Sequence, residues 1–228
     1  MKIAVLIPDR GDRPKFLRNC LRMVDGQTMK PNMVCVVGMD EGFEGSDIYV
    51  HVETEEGVCD ITKRYRVGYD TLREKGLDCI LLMENDDWYD PDYIKTMVSE
   101  WERIGRPDLL GQTSTIYYHL RLFSWFTMHH TSRSSAMNTL IKADLELRWP
   151  VDEEPYTDIW LWNLLKGVVF KPEKLICMGM KHGEGLCGGR SHVEGLHRYN
   201  VNLDNEKVFL KEHLDKESFE FYANYFNN

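Results

Sequence analysis

The apolar positions of this chain follow two alternating periods, one of strands and one of helices. Lys2 to Ile7 ends in a continuous apolar run, the pattern of a strand buried on both faces. Phe16, Leu17, Cys20, Leu21 and Val24 then recur at helical spacing, in a segment that Asp12 can cap, Pro14 can open and Gly26 can stop. Met33 to Val37 reads as a second buried strand, running into Gly38-Met39-Asp40-Glu41-Gly42, and Ile48 to Val52 as a short third. Asp60 opens a helix with Ile61, Tyr65, Tyr69 and Leu72 on one face, ended by Gly76. Cys79 to Met83 is the next buried strand. Asp90-Pro91 starts a helix whose apolar stripe is Ile94, Met97, Val98, Trp101 and Ile104, closed by Gly105-Arg106-Pro107. The order strand, helix, strand, strand, helix, strand, helix predicts an α/β domain with a mainly parallel central sheet flanked by helices.

The second half is less regular. Gln112 to Tyr118 and Leu120 to Met128 have the pattern of strands, as a hairpin, and Ala136 to Ile141 that of a weaker strand. Thr157 to Lys166 reads as a helix carrying Ile159, Leu161, Trp162 and Leu165, with Gly167 at its end. Val168 to Phe170 and Leu175 to Met178 are short strands, followed by the glycine-rich stretch Lys181 to Gly189. From about Val208 to Phe226 the chain is amphipathic and reads as helical. With 228 residues and no internal repeat or linker, it is expected to form a single domain over 1–228, divided at 1–110, 111–200 and a helical extension 201–228.

Composition narrows the class. At 43% hydrophobic and 29% charged, the chain resembles soluble globular proteins. Apolar runs such as Ile80-Leu81-Leu82-Met83 are too short to span a bilayer, so no transmembrane segment is expected. The N-terminal apolar run reads as a strand rather than a signal peptide, which makes the cytoplasm the expected location. The net charge of −9 argues against a nucleic-acid partner. The six cysteines contain no C-x-x-C pair and read as buried, reduced thiols.

The polar residues of interest fall after strands, at the sheet edge where α/β domains bind ligands. They are Pro8-Asp9-Arg10, then Asp40, then Glu84-Asn85-Asp86-Asp87. Three carboxylates within four residues repel one another, by about 4 kcal/mol per pair at 4 Å and an effective dielectric near 20. A hard divalent cation relieves that repulsion and can bridge to a diphosphate. The competing interpretation is a solvated acidic turn, with Asp90 capping the next helix. The position after a buried strand favours the ligand site.

Four segments carry a resemblance. Val5-Leu6-Ile7-Pro8-Asp9-Arg10 with the Arg13 to Val24 helix, Gln27-Thr28 with Val34 to Val37 and Asp40, Leu82 to Asp87 with Pro91, and Glu153 to Trp160 resemble glycosyltransferases of the GT-A fold, family 2 in particular. The likeness is good over roughly residues 2 to 105 and thins beyond. It implies a nucleotide-sugar-binding half over 1–110 and an acceptor-side half over 111–200. Pro8, Asp9 and Arg10 would line the nucleotide pocket, with Asp40 on the base or ribose. Lys63 or Arg64 would reach the nucleotide or its phosphates, and Glu84 and Asn85 would lie near the ribose or sugar. Asp86 would be the main ligand of Mn2+ or Mg2+, Asp87 would share the metal or position the donor sugar, and His182 would be a third ligand, against the plainer reading of a loop histidine. Asp158 would be the general base. Lys181 or Arg190 would offset diphosphate charge, and Trp88 is the first aromatic to consider for sugar stacking.

The sequence departs from the family at Glu84, where aspartate is usual, and at Thr157, where the pattern has glutamate; Glu153 and Glu154 are alternative bases. The function implied is metal-dependent transfer of a sugar from a nucleotide-diphosphate donor to an acceptor hydroxyl, with inversion. Membrane helices and a Q-x-x-R-W motif are missing, so the implied transfer is non-processive. The alternatives are a sugar nucleotidyltransferase and a catalytically silent nucleotide-sugar-binding protein.

Overall fold

Strand β1 (Ile3–Pro8) is buried along its whole length, as its unbroken apolar run requires. Its alternate residues enter different cores: Ile3, Val5 and Ile7 on one face of the sheet, Ala4 and Leu6 on the other. This computed structural model describes residues 1–39, 45–183, 193 and 195–227. After β1 come helix α1 (Pro14–Asp25), β2 (Met33–Gly38), β3 (Ile48–His51), α2 (Ile61–Arg73), β4 (Cys79–Leu82), β5 (Trp88–Tyr89) and α3 (Tyr93–Arg103). The second half continues through β6 (Leu109–Gln112), β7 (Ser114–His119), β8 (Ser124–His129), β9 (Leu140–Lys142), α4 (Thr157–Leu164), β10 (Gly167–Phe170), β11 (Cys177–Lys181) and β12 (Asn202–Leu203). It closes with α5 (Val208–His213) and α6 (Lys216–Ala223).

The main sheet has seven strands in the order β10-β6-β9-β4-β1-β2-β3. All run parallel except β9, which pairs antiparallel with both β4 and β6. The expected mainly parallel α/β sheet is therefore present. The Phe16, Leu17, Cys20 stripe of α1 and the Ile94, Met97, Val98 stripe of α3 pack on one face, and Tyr65, Tyr69 and Leu72 of α2 pack on the other. The α2 contact is close: a Cβ on Gly68 would lie 2.2 Å from Leu6 Cδ1, so only glycine fits there. A second sheet has the order β12-β8-β7-β11-β5.

Several local readings change. Asp12 does not cap α1; Arg13 holds the cap position, and the Asp12 carboxylate pairs with the Arg13 guanidinium at 3.3 Å. Asp60 stands at the cap of α2, but its carboxylate is taken by two arginines rather than by backbone amides. Gln112 to Tyr118 is not one strand: β6 ends in the main sheet and β7 begins in the second. Ala136 to Ile141 divides into a 3-10 turn (Ala136–Asn138) and β9. The C-terminal helix is two helices, because Leu214 and Asp215 are extended and Asp215 caps α6 by accepting from the Ser218 amide at 3.0 Å. Among the described cysteines Cys20, Cys35, Cys79 and Cys177 are buried free thiols and Cys59 is half-buried, while Cys187 lies outside the described residues. No helix among the described residues is long and apolar enough to cross a membrane.

Candidate active site

The carboxyl ends of β1 and β4 open onto one cleft of about 310 Å3. Asp9 follows β1, and its amide continues the ladder to the Val37 carbonyl at 2.8 Å. Its carboxylate accepts from the Gly11 amide at 3.0 Å and from the Asn85 side-chain amide. Burial raises its pKa despite those two donors. Asn85 thereby ties the end of β4 to the end of β1. Arg10 turns onto the following loop, donating to the Val58 carbonyl at 2.7 Å and to Asp60 at 3.1 Å. Arg64 is fully buried and donates to Asp60 at 2.8 Å and Thr54 Oγ1 at 2.6 Å. One carboxylate, Asp60, therefore holds both arginines and the loop between them. Lys63 is outside the cleft lining, its amide bonded to the Asp152 carbonyl at 3.3 Å. Asp40, Arg190 and His192 lie outside the described residues.

The acidic turn connects β4 to β5. Glu84 accepts from the Tyr65 hydroxyl at 3.2 Å, and its amide donates to the Tyr89 hydroxyl at 2.7 Å. Asp86 Oδ2 receives Arg13 Nη1 at 2.8 Å and lies 2.9 Å from His182 Nε2. Asp87 is fully buried beneath the cleft; its Oδ1 accepts from the Met180 amide at 2.8 Å, and its Oδ2 has no hydrogen-bond partner. Carboxylate oxygens of Glu84, Asp86 and Asp87 lie within 4.8 Å of one another. Burial and the neighbouring carboxylates Asp86 and Glu84 push Asp87 well above the usual range. Burial also raises Glu84. In Asp86 burial opposes ionisation, but Arg13 and His182 outweigh it and hold the carboxyl low. Lys181 stands in the same field: burial would lower its pKa, and Asp87, Tyr117 and Glu84 more than reverse that.

This donor set fits a hard divalent cation. An orphaned, buried carboxylate oxygen is costly, and an ion ligated by Asp87 Oδ2 and its two neighbours would satisfy it. His182 is not part of that carboxylate group and meets it only at Asp86, with Nε2 2.9 Å from Oδ2.

Helix α4 contributes Asp158 and Ile159 to the cleft lining. Asp158 sits in its first turn and receives Arg133 Nη1 at 2.9 Å. Burial raises the Asp158 pKa against the pull of Arg133. Thr157, the departure from the family pattern, packs its hydroxyl against that of Thr62. Glu153 and Glu154 do not line the cleft, whereas Pro155, Tyr156 and Ile159 do. Trp88 is 1% exposed and belongs to the core, so it offers no face to a sugar. His130 is buried beside Thr115 and Ser135, whereas His129 is exposed.

The cleft thus brings together Pro8, Asp9, Arg10, Arg64, Glu84, Asn85, Asp86, Asp158 and His182, with Asp87 below its floor. Sequence reasoning missed Arg13 and Tyr117 as cleft residues. Their signal is weak: Arg13 looks like an ordinary helix-start cation, and its partner Asp86 is 73 positions away.

No family model matches the chain, and no curated protein is similar to it. Solved structures are. Residues 1–349 of Staphylococcus aureus TarS in complex with UDP match with a TM-score of 0.57 and 13% identity, over 79% of this chain and 60% of that one. The same protein in complex with UDP-GlcNAc matches with a TM-score of 0.56 and 13% identity, over 100% of this chain and 72% of that one. The chain therefore spans about 60% of the length of the first of these structures. At such identity the likeness is one of fold, and it agrees with the GT-A glycosyltransferase fold that the sequence led us to expect.

Proposed function

We propose that the chain is a metal-dependent glycosyltransferase, taking a sugar from a nucleotide-diphosphate donor to an acceptor hydroxyl with inversion and without processivity. The observation that carries this reading is the set Glu84, Asp86 and Asp87, with an unpartnered buried oxygen on Asp87, beside a cleft that also holds Asp158. Glu84, Asp86, Asp87 and His182 would hold Mn2+ or Mg2+. When bound, that ion would stabilise negative charge on the departing diphosphate as a Lewis acid.

The chain's own residues supply the rest. Asp9 and Arg10 shape the nucleotide side, Arg10 by fixing the loop that ends at Asp60. Lys181 adds positive charge on the diphosphate side. Asp158 takes the proton of the acceptor hydroxyl as that oxygen attacks the anomeric carbon. Arg133 holds the Asp158 carboxylate in place at 2.9 Å and opposes the rise in its pKa that burial causes. The UDP and UDP-GlcNAc bound in the TarS structures make a uridine-diphosphate sugar the first donor to test. We place the protein in the cytoplasm on the strength of its buried free thiols.

The experiment is product analysis with Mn2+ and a panel of nucleotide-sugars. Release of nucleoside diphosphate, lost in Asp158→Asn, supports the reading. Release of pyrophosphate with a nucleoside triphosphate and sugar phosphate would move the chain to the nucleotidyltransferases. Tight donor binding with neither product would make it a silent binding protein.

A further inference from the structure

Arg13 Nη1 stands 2.8 Å from Asp86 Oδ2 and 2.5 Å from His182 Nε2, and those two acceptor atoms are 2.9 Å apart. His182 Nε2 is within hydrogen-bond distance of both Arg13 Nη1 and Asp86 Oδ2, and it accepts from the guanidinium in the tautomer that carries its proton on Nδ1. A carboxylate oxygen and an imidazole nitrogen thus converge on one cationic nitrogen, the arrangement they would adopt around a metal ion. The guanidinium carbon lies 5.8 Å from the Phe16 ring centroid, and the side chain is 15% exposed on the cleft wall.

From this geometry, and resting on the metal reading above, we propose that Arg13 is a built-in cation that competes with the divalent ion for Asp86 and His182. Two cations cannot share that point. Arg13 compensates the acidic cluster of the metal-free protein and must turn out for the ion to enter. Its long side chain lines the cleft next to Asp12, which already pairs with it at 3.3 Å. A diphosphate, which a guanidinium binds through paired N–H···O bonds, would draw it further away and so couple donor binding to metal binding.

The test is Mn2+ binding without nucleotide, followed by the loss of the free-ion electron paramagnetic resonance signal. Apparent affinity is reduced by the fraction of molecules in which the position is vacated. If Arg13 fills it in about nine molecules of ten, Arg13→Gln should bind Mn2+ roughly tenfold more tightly than the wild type. Equal or weaker binding by the variant overturns the competition and leaves the metal reading standing. No binding by either protein overturns both. Wild-type crystals soaked in Mn2+ give an answer independent of the variant's folding. The expected result is anomalous density at Asp86 and His182 with the Arg13 guanidinium displaced. An ion bound while Arg13 keeps both contacts, or no ion density at all, sinks the proposal.

Discussion

The Tyr222 hydroxyl donates a 2.9 Å hydrogen bond to the main-chain carbonyl of Asp87. The last helix therefore holds the loop that carries the acidic cluster, and Tyr222 is 2% exposed as it does so. Tyr222→Phe keeps the ring and removes the donor, leaving a buried carbonyl without its partner. The expected cost is about 1–3 kcal/mol, measured by urea unfolding. A variant as stable as the wild type would mean that α6 packs without anchoring the loop.

Asp158 and Arg133 set the expected pH profile of transfer. A general base acts only when deprotonated, and burial raises the Asp158 pKa above that of an ordinary aspartate. Activity should accordingly fall on the acid side at a higher pH than a free carboxylate would dictate. Arg133 opposes the rise, so Arg133→Gln should move the acid limb to higher pH. Asp158→Asn should lower kcat by at least about a hundredfold, the lower end of what a positioned base contributes. An acid limb unmoved in Arg133→Gln would show that another group is being titrated.

Asp60 accepts from both Arg10 and Arg64, and Arg64 is 0% exposed. Asp60→Asn leaves a buried guanidinium without its counter-charge. Breaking one partner of a buried pair costs about 3–5 kcal/mol, so this single-atom change should be among the most destabilising in the cleft wall. Thermal unfolding measures it. A loss below about 1 kcal/mol would place Arg64 in contact with water.

His130 lies against Thr115 and Ser135, and burial, then Arg133 and His129, bring its pKa down to about 4. In the unfolded chain it would titrate near 6.5, so on acidification the unfolded state takes the proton first. The stability it supports is whole above pH 6.5 and is lost as pH falls toward 4. His119, lowered to about 4 by burial, adds to the same window. Denaturation midpoints across that range should fall with pH, and His130→Gln should flatten the slope. An unchanged slope in that variant assigns the acid sensitivity to other groups.

Where order comes from neighbouring residues, the sequence by itself determined it. The continuous apolar runs of β1, β2 and β4 require burial on both faces. The stripes of α1, α2 and α3 follow from spacing alone, and so does the placing of the acidic turn at a strand end. The GT-A likeness was legible in the same segments. Strand order, the reversed β9 and the short β5 depend on which segments meet, and no local period records that. The charged side chains were harder still. Arg10, Arg13, Lys63 and Arg64 look alike in sequence, yet packing ties Arg10 and Arg64 to Asp60, leaves Lys63 outside the cleft and lays Arg13 on Asp86. Asp86 and Asp87 are adjacent and chemically identical, but one is held ionised by Arg13 and His182 while the other is buried with an unpartnered oxygen. The tertiary structure decided that difference, because a side chain's charge state depends on its burial and on partners brought from distant parts of the chain.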